Sequence, residues 1–145
     1  MLVRDFMVTD LTTLPEDSRL LDAALLIRRT GRRHLPVVGA DGKAVGIISD
    51  RDVARMAPSI LADMTPEEYN RIFESTPVTV AMTRDPMTVR PETPISEAVE
   101  ILHSHKIGAL LVVENGKLAG LLTVTDMLGL LRDLLAEKAR AAGGA

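Results

Sequence analysis

The sequence predicts a mixed α/β (α+β) fold built from one β-α-β-β-α unit written twice. Three observations predict it. Residues 3–55 and 78–129 align at an offset of 75, which drops to 74 after one residue is deleted in a turn. In each copy two β-rich apolar runs are joined through Asp41-Gly42 or Asn115-Gly116, dipeptides that accept the positive φ of a tight hairpin turn. An apolar stripe at helical spacing precedes each pair of runs. Met7, Asp10, Ala23, Leu35 and Val37 return as Met82, Asp85, Ala98, Leu110 and Val112, and Gly42, Gly46 and Asp52 return as Gly116, Gly120 and Asp126. A repeated unit that cannot bury its own apolar face usually buries it against its copy, and a pocket between copies is a natural place for a ligand.

Each copy opens with a short extended segment, Thr12-Thr13-Leu14 or Met87-Thr88-Val89. The first helix follows. In the second copy Thr93 is its expected cap, Pro94 its first residue, and Ile95, Ala98, Val99 and Leu102 its buried stripe. In the first copy Ser18 is the expected cap, and Leu20, Ala23, Ala24 and Ile27 form the stripe. Gly31 should end one helix and Lys106 or Gly108 the other. The hairpins run through Leu35 to Val38 and Val45 to Ile48, and through Ala109 to Val113 and Leu118 to Val124. A second helix is expected from Asp50 and from Thr125.

Between the copies, Pro58 stops a helix, and Thr65-Pro66-Glu67-Glu68 starts another with cap, proline and acids in sequence. Tyr69, Ile72 and Phe73 share one face of it. The expected organisation is a first repeat over 1–55, a helical linker over 56–77, a second repeat over 78–135, and a helix end with a flexible tail over 136–145.

Composition narrows the function. The 145 residues are 46% hydrophobic but only 2% aromatic, so the core must be aliphatic. That argues against a base-stacking platform for single strands. A net charge of −3 gives no broad basic field for nucleic acid. Thirteen of the seventeen basic residues are Arg, the better fork for phosphate. No cysteine is present, so there is no disulfide framework or thiol chemistry. No signal peptide or spanning run of about 20 apolar residues is visible, which makes the cytosol the expected location and a membrane partner unexpected. His103 and His105 lie two apart on a helix and point in different directions, so no metal site is expected from them.

The sharpest motif is Gly46-Ile47-Ile48-Ser49-Asp50-Arg51-Asp52, repeated as Gly120-Leu121-Leu122-Thr123-Val124-Thr125-Asp126. A hydroxyl residue followed three positions later by an acid at a helix start is, at its simplest, a capping box. The same geometry suits a ribose-phosphate. Free amides and the hydroxyl meet phosphate, and the carboxylate, repelled by phosphate, accepts from a sugar diol. Arg28-Arg29-Thr30-Gly31-Arg32-Arg33-His34 concentrates charge near the end of the first helix. It reads either as a solvated helix end or as a group in which Arg32, Arg33 or His34 neutralises phosphates.

Glycine, two apolar residues, Ser or Thr, then Asp three residues on, after a hairpin and a Pro-Val-Val-like strand, resembles a CBS domain. Two in tandem resemble the CBS pair called a Bateman module, over nearly all of the chain. The segment Arg51-Asp52-Val53 with Ala57-Pro58-Ser59 and an acidic helix is similar to stand-alone CBS-pair proteins of the acetoin-utilisation type. The resemblance implies two repeats packed sheet to sheet about a pseudo-twofold axis, with clefts for AMP, ADP, ATP or S-adenosylmethionine. It implies Asp52 and Asp126 at ribose, and Ser49 and Thr123 by ribose or phosphate. It implies His34, Leu35 and Pro36, with Ala109, Leu110 and Leu111, at the base. It further implies Lys106 at phosphate, where the first copy has Gly31, and Arg55 at the motif's end, where the second has Gly129.

The expected function is therefore a regulatory module that binds an adenine nucleotide or S-adenosylmethionine. It would signal to an effector protein through altered packing of repeats or subunits. The leucine-rich stretch from Met127 to Leu135 suggests a homodimer contact. Two alternatives stand beside it. One is an enzyme, for which the sequence offers no nucleophile with base, poised acid pair or open metal. The other is a structural dimerisation module with empty clefts.

Overall fold

Apolar runs punctuated by turn residues fold into seven strands and six α-helices among the described residues. The computed structural model describes residues 1–58 and 63–144. Two compact units result, one of residues 12–86 and 116–118, the other of residues 1–11, 87–115 and 119–145.

The first of these holds β1 (Leu14–Pro15), α1 (Leu20–Thr30), β2 (His34–Val38), β3 (Ala44–Ser49), α2 (Asp50–Met56), α3 (Pro66–Ser75), α4 (Val78–Ala81) and β4 (Thr83–Arg84). Its sheet runs in the order β1-β2-β3-β4. β1 lies parallel to β2, and β2-β3 is an antiparallel hairpin. Leu20 and Ala23 of α1, Leu35 and Val37 of β2, Ile48 of β3, and Phe73 of α3 form its core. The linker helix α3 thus buries the face that Phe73 marks, and Tyr69 stacks on Phe73 with ring centres 5.2 Å apart. Thr65 caps α3 as expected, and Glu68 completes a reciprocal box with it.

The other unit holds a 3₁₀ turn over Val3–Asp5, then β5 (Thr88–Val89), α5 (Ile95–His105), β6 (Ala109–Glu114), β7 (Lys117–Thr123) and α6 (Val124–Gly143). Its sheet order is β5-β6-β7. Val3, Ile95, Ala98, Leu102, Leu110 and Leu122 are among its core residues.

The one-residue deletion between copies has a structural form. Asn115 and Gly116 both take positive φ, 52° and 76°, and make a two-residue turn. In the first copy only Gly42 does, at 79°, and the longer loop is absorbed by a register shift between Val37 and Val38.

The linear repeat and the compact unit differ. Residues 1–11, counted with the first repeat in the sequence, build into the unit of the second, while residues 78–84 build into the unit of the first. Val8 and Leu121 exchange backbone hydrogen bonds of 2.8 and 3.0 Å, as β4 pairs with β3 through Thr83 opposite Ile47. Repeated Gly46 and Gly120 permit this closeness. A Cβ at Gly46 would lie 2.8 Å from the Thr83 carbonyl oxygen and 2.5 Å from Met82 Sδ, and one at Gly120 would lie 3.0 Å from the Val8 carbonyl and 2.8 Å from Met7 Sδ. The methionine can move, but the backbone oxygen cannot without parting the strands. Gly46→Ala is expected to cost about 1–3 kcal/mol by overpacking. A urea midpoint equal to wild type would show that the strands part freely.

The same exchange corrects the expected helix caps. The N-caps are Arg19 and Pro94, not Ser18 and Thr93, and neither uses a side-chain hydroxyl. The first helical amides instead find backbone carbonyls: Leu20 N donates to Thr76 O at 2.8 Å, and Ile95 N donates to Met1 O at 3.0 Å. A carbonyl delivered by a neighbouring segment satisfies the orphan donor that a hydroxyl would otherwise meet. Two boundaries also move. The final helix starts at Val124, one residue before the expected Thr125, and continues to Gly143, so residues 141–143 are helical where a flexible tail was expected. Alanine-rich sequence with Glu137, Lys138 and Arg140 carries high helix propensity to that end. Ser59 of the Ala57-Pro58-Ser59 signal and the terminal Ala145 lie outside the described residues.

Candidate functional site

Both copies of the motif form the same hydroxyl–carboxylate box. Ser49 N donates to Asp52 Oδ2 at 2.8 Å, and Asp52 N donates back to Ser49 Oγ at 3.2 Å. In the second copy Thr123 N and Thr123 Oγ1 both donate to Asp126 Oδ2, each at 2.9 Å, and Asp126 N donates to Thr123 Oγ1 at 3.2 Å. The capping reading is therefore correct, and it does not exhaust the carboxylates. Each box engages Oδ2 and leaves the second oxygen outside it. All four residues are half-buried.

Around Asp52 the structure gathers several predicted residues. β2 and β3 pair His34 directly opposite Ser49. Asp50 N donates to Arg33 O at 2.9 Å, which ties the helix start to the residue before β2. Arg55 reaches back one helical turn, its guanidinium 3.6 Å from Asp52 Oδ1 with the Arg side chain 76% exposed and the Asp 15%. An ion pair that open contributes little stability. Asp50 and Arg51, which the sequence reading passed over, stand close enough to His34 to act on its charge. Their signal was the strand register, which carries the whole Ser49-to-Asp52 turn to the start of β2.

Burial holds the His34 imidazole below the usual histidine value. Asp50 and Asp52 pull it up, and Arg33 and Arg51 push it down. The unfolded chain then binds a proton more readily than the native one. The stability this group contributes is complete above the ordinary value of about 6.5 and is lost as pH falls through the lower folded value. The denaturation midpoint of His34→Gln should therefore fall less than that of wild type between about pH 7.5 and 5.5. Parallel curves for the two proteins would show that His34 titrates as it does in the unfolded chain.

The second copy is plainer. Lys106 is exposed and sits in the left-handed region, φ 53°, at the helix end where the first copy has Gly31, φ 72°. A non-glycine residue there costs roughly 1–2 kcal/mol. Ala109 begins β6, half-buried, and Thr123 and Asp126 follow on β7 and α6.

Three expectations need correction or placement. Leu35 and Leu110 have no exposed surface and their side chains belong to the two hydrophobic cores, so a base cannot rest on those side chains. Pleating explains it, since alternate residues face opposite sides and His34 and Pro36 share the side away from Leu35. Leu111 and Pro36 are also fully buried. Arg32 lies half-buried in the turn before β2, and its amide donates to Thr30 Oγ1 at 3.2 Å. A separate open hollow of about 390 Å³ lies among α1, α2 and α3, lined by Ala24, Ile27, Val53, Tyr69 and Phe73 with Asp50 at its edge. Neither Asp52 nor Asp126 lines it. Among the described residues no group of three or more His, Asp or Glu is placed to hold a metal ion, and no helix is long and apolar enough to cross a membrane.

Comparison with known proteins identifies the repeated unit. A family model described as the CBS domain matches residues 3–59 and again 77–133. The crystal structure of a proposed acetoin utilization protein (AcuB) from Vibrio cholerae is similar over 97% of this chain and 96% of its own, with 31% identity and a TM-score of 0.77. The structure of CBSX2 in complex with AMP is 26% identical, covers 91% of this chain and 97% of its own, and has a TM-score of 0.77. A CBS domain-containing protein of Dictyostelium discoideum is 30% identical over 135 residues, 92% of this chain and 93% of that one. Other curated relatives are longer. The chain spans 25% of an uncharacterized Methanocaldococcus jannaschii protein, MJ1404, and 14% of an A-adding tRNA nucleotidyltransferase of Aquifex aeolicus.

Proposed function

From the premise that the chain belongs to the CBS-domain family, with two copies in tandem, we propose that it is a cytosolic regulatory module binding an adenosine-containing ligand rather than a catalyst. One observation carries this reading. The box forms at equivalent places in both copies and leaves an oxygen of each carboxylate for a ribose diol. Ser49 and Thr123 supply hydroxyls beside it, and His34 and Ala109, both half-buried, supply strand positions for a base. Arg32 and Arg55 supply cations for phosphate in the first copy, whereas the second has only the exposed ammonium of Lys106 at the end of α5. The AMP complex of CBSX2 supports the ligand class. AMP, ADP, ATP and S-adenosylmethionine are the ligands to try. A ligand that binds only the native state raises the melting temperature. No shift with any of the four at millimolar concentration would leave a purely structural module.

A homodimer goes with this reading. Val124, Leu128, Leu131 and Leu135 repeat at spacings of four, three and four along α6, and Leu128 and Leu135 are 58% and 57% exposed. Such a stripe suits a second helix. Regulation would then work through differential ligand contacts with two packing states of the subunits, read by an effector protein. The double variant Leu128→Glu/Leu135→Glu should sediment as a monomer. A wild-type monomer at tens of micromolar would remove the dimer.

A further inference from the structure

The two copies of the motif share their box but not their charge. Backbone bonds establish which positions correspond. Asp50 N donates to Arg33 O at 2.9 Å in one copy, and Val124 N donates to Gly108 O at 3.0 Å in the other. At these matched positions Arg33 and Asp50 of the first copy correspond to Gly108 and Val124 of the second. The neighbouring positions follow suit: His34 becomes Ala109, Arg51 becomes Thr125, and Arg55 becomes Gly129. Every ionisable group about the first box, the paired Asp apart, is thus a neutral residue about the second. The exception runs the other way, with Lys106 where the first copy has Gly31.

The first cluster is also electrostatically coupled. His34 responds to Asp50, Asp52, Arg33 and Arg51 together, and Arg55 lies 3.6 Å from Asp52. Guanidinium forks bind phosphate in a fixed planar geometry, while a single exposed ammonium acts as a screened point charge. The two boxes share their capping bonds, the second adding only the bond from Thr123 Oγ1 to Asp126 Oδ2, and neither carries a cation that would tell a nucleotide from a nucleoside. Side-chain charge can.

We propose that the copies divide their ligands by charge. The site around Asp52 takes a phosphate-bearing adenine nucleotide, and the site around Asp126 takes an adenosine moiety without regard to phosphate. The proposal rests on the adenosine reading above and names the ligand class at each of its two sites. A two-site module of this kind would respond to the ratio of nucleotide to nucleoside-like ligand, because each occupies its own copy.

The test is calorimetry of AMP and of adenosine on the full chain, compared with Arg51→Thr/Arg55→Gly and with Lys106→Gly. One site should prefer AMP to adenosine by about tenfold or more, the scale of a charge-assisted hydrogen bond. The other should bind both equally. The preference should shrink toward unity in Arg51→Thr/Arg55→Gly and persist in Lys106→Gly. If the double variant fails to fold, Arg33→Gly serves in its place. A preference untouched by the arginine changes, or abolished by Lys106→Gly, overturns the proposal. Equal binding of AMP and adenosine at both sites overturns the charge division but leaves the adenosine reading standing. If neither compound binds, both fall.

Discussion

Leu35→Ala and Leu110→Ala should each lower stability by about 2–5 kcal/mol, and neither should change ligand affinity in the protein that remains folded. Both leucines have no exposed surface. Leu35 packs with Leu20, Ala23, Val37 and Ile48, and Leu110 packs with Val3, Ala98, Leu102 and Leu122. Truncation leaves a cavity in an aliphatic core with few large side chains to collapse into it. The loss includes both the transfer term and the cavity term. Urea denaturation at fixed pH reads the stability, and titration well below the transition reads the affinity. The resemblance alone places these leucines at the base, and there the opposite outcome holds. A variant with native stability and lost binding would return them to the site.

Asp52→Asn should weaken adenosine-ligand binding by about one to two orders of magnitude, the worth of a hydrogen bond to a charged group. Its stability should stay within about 1 kcal/mol of wild type. The amide oxygen can still accept from Ser49 N, the contact now made by Oδ2 at 2.8 Å. The other position becomes a donor and can no longer accept from a ribose hydroxyl. Asp52→Ala removes both acceptors, so it should lose the affinity and also about 1 kcal/mol of cap. The pair of variants separates capping from binding. Asp126→Asn makes the parallel test in the second copy, where Oδ2 takes two donors from Thr123. An Asp52→Asn protein that binds as wild type does would assign Asp52 to the cap alone.

Local chemistry was legible in the sequence, and segment exchange was not. Ser49 with Asp52, Thr123 with Asp126, and Thr65 with Glu68 all close the boxes their spacing implies, because each box needs only four consecutive residues. Gly31, Gly42 and Gly116 take the positive φ their turns require. Ser18 and Thr93 have equally good local chemistry and do not cap, because Thr76 and Met1 bring carbonyls from far along the chain. The repeat itself hid this. Met7 and Met82 recur with Gly46 and Gly120, so the alignment fits either pairing, and only the structure shows Met7 against Gly120 and Met82 against Gly46. The candidate site divides the same way. The boxes follow from spacing, whereas the nearness of His34 to Asp50 and Arg51 depends on the register between β2 and β3.

Everything proposed for the function depends on a carboxylate oxygen, left over from a helix cap, holding a sugar. A crystal of the protein grown with AMP measures that directly. The expected result is a ribose hydroxyl at about 2.5–3.0 Å from Asp52 Oδ1, with the Ser49–Asp52 box intact. Nucleotide found only in the hollow beside Tyr69 and Phe73, or no nucleotide at saturating AMP, would contradict it.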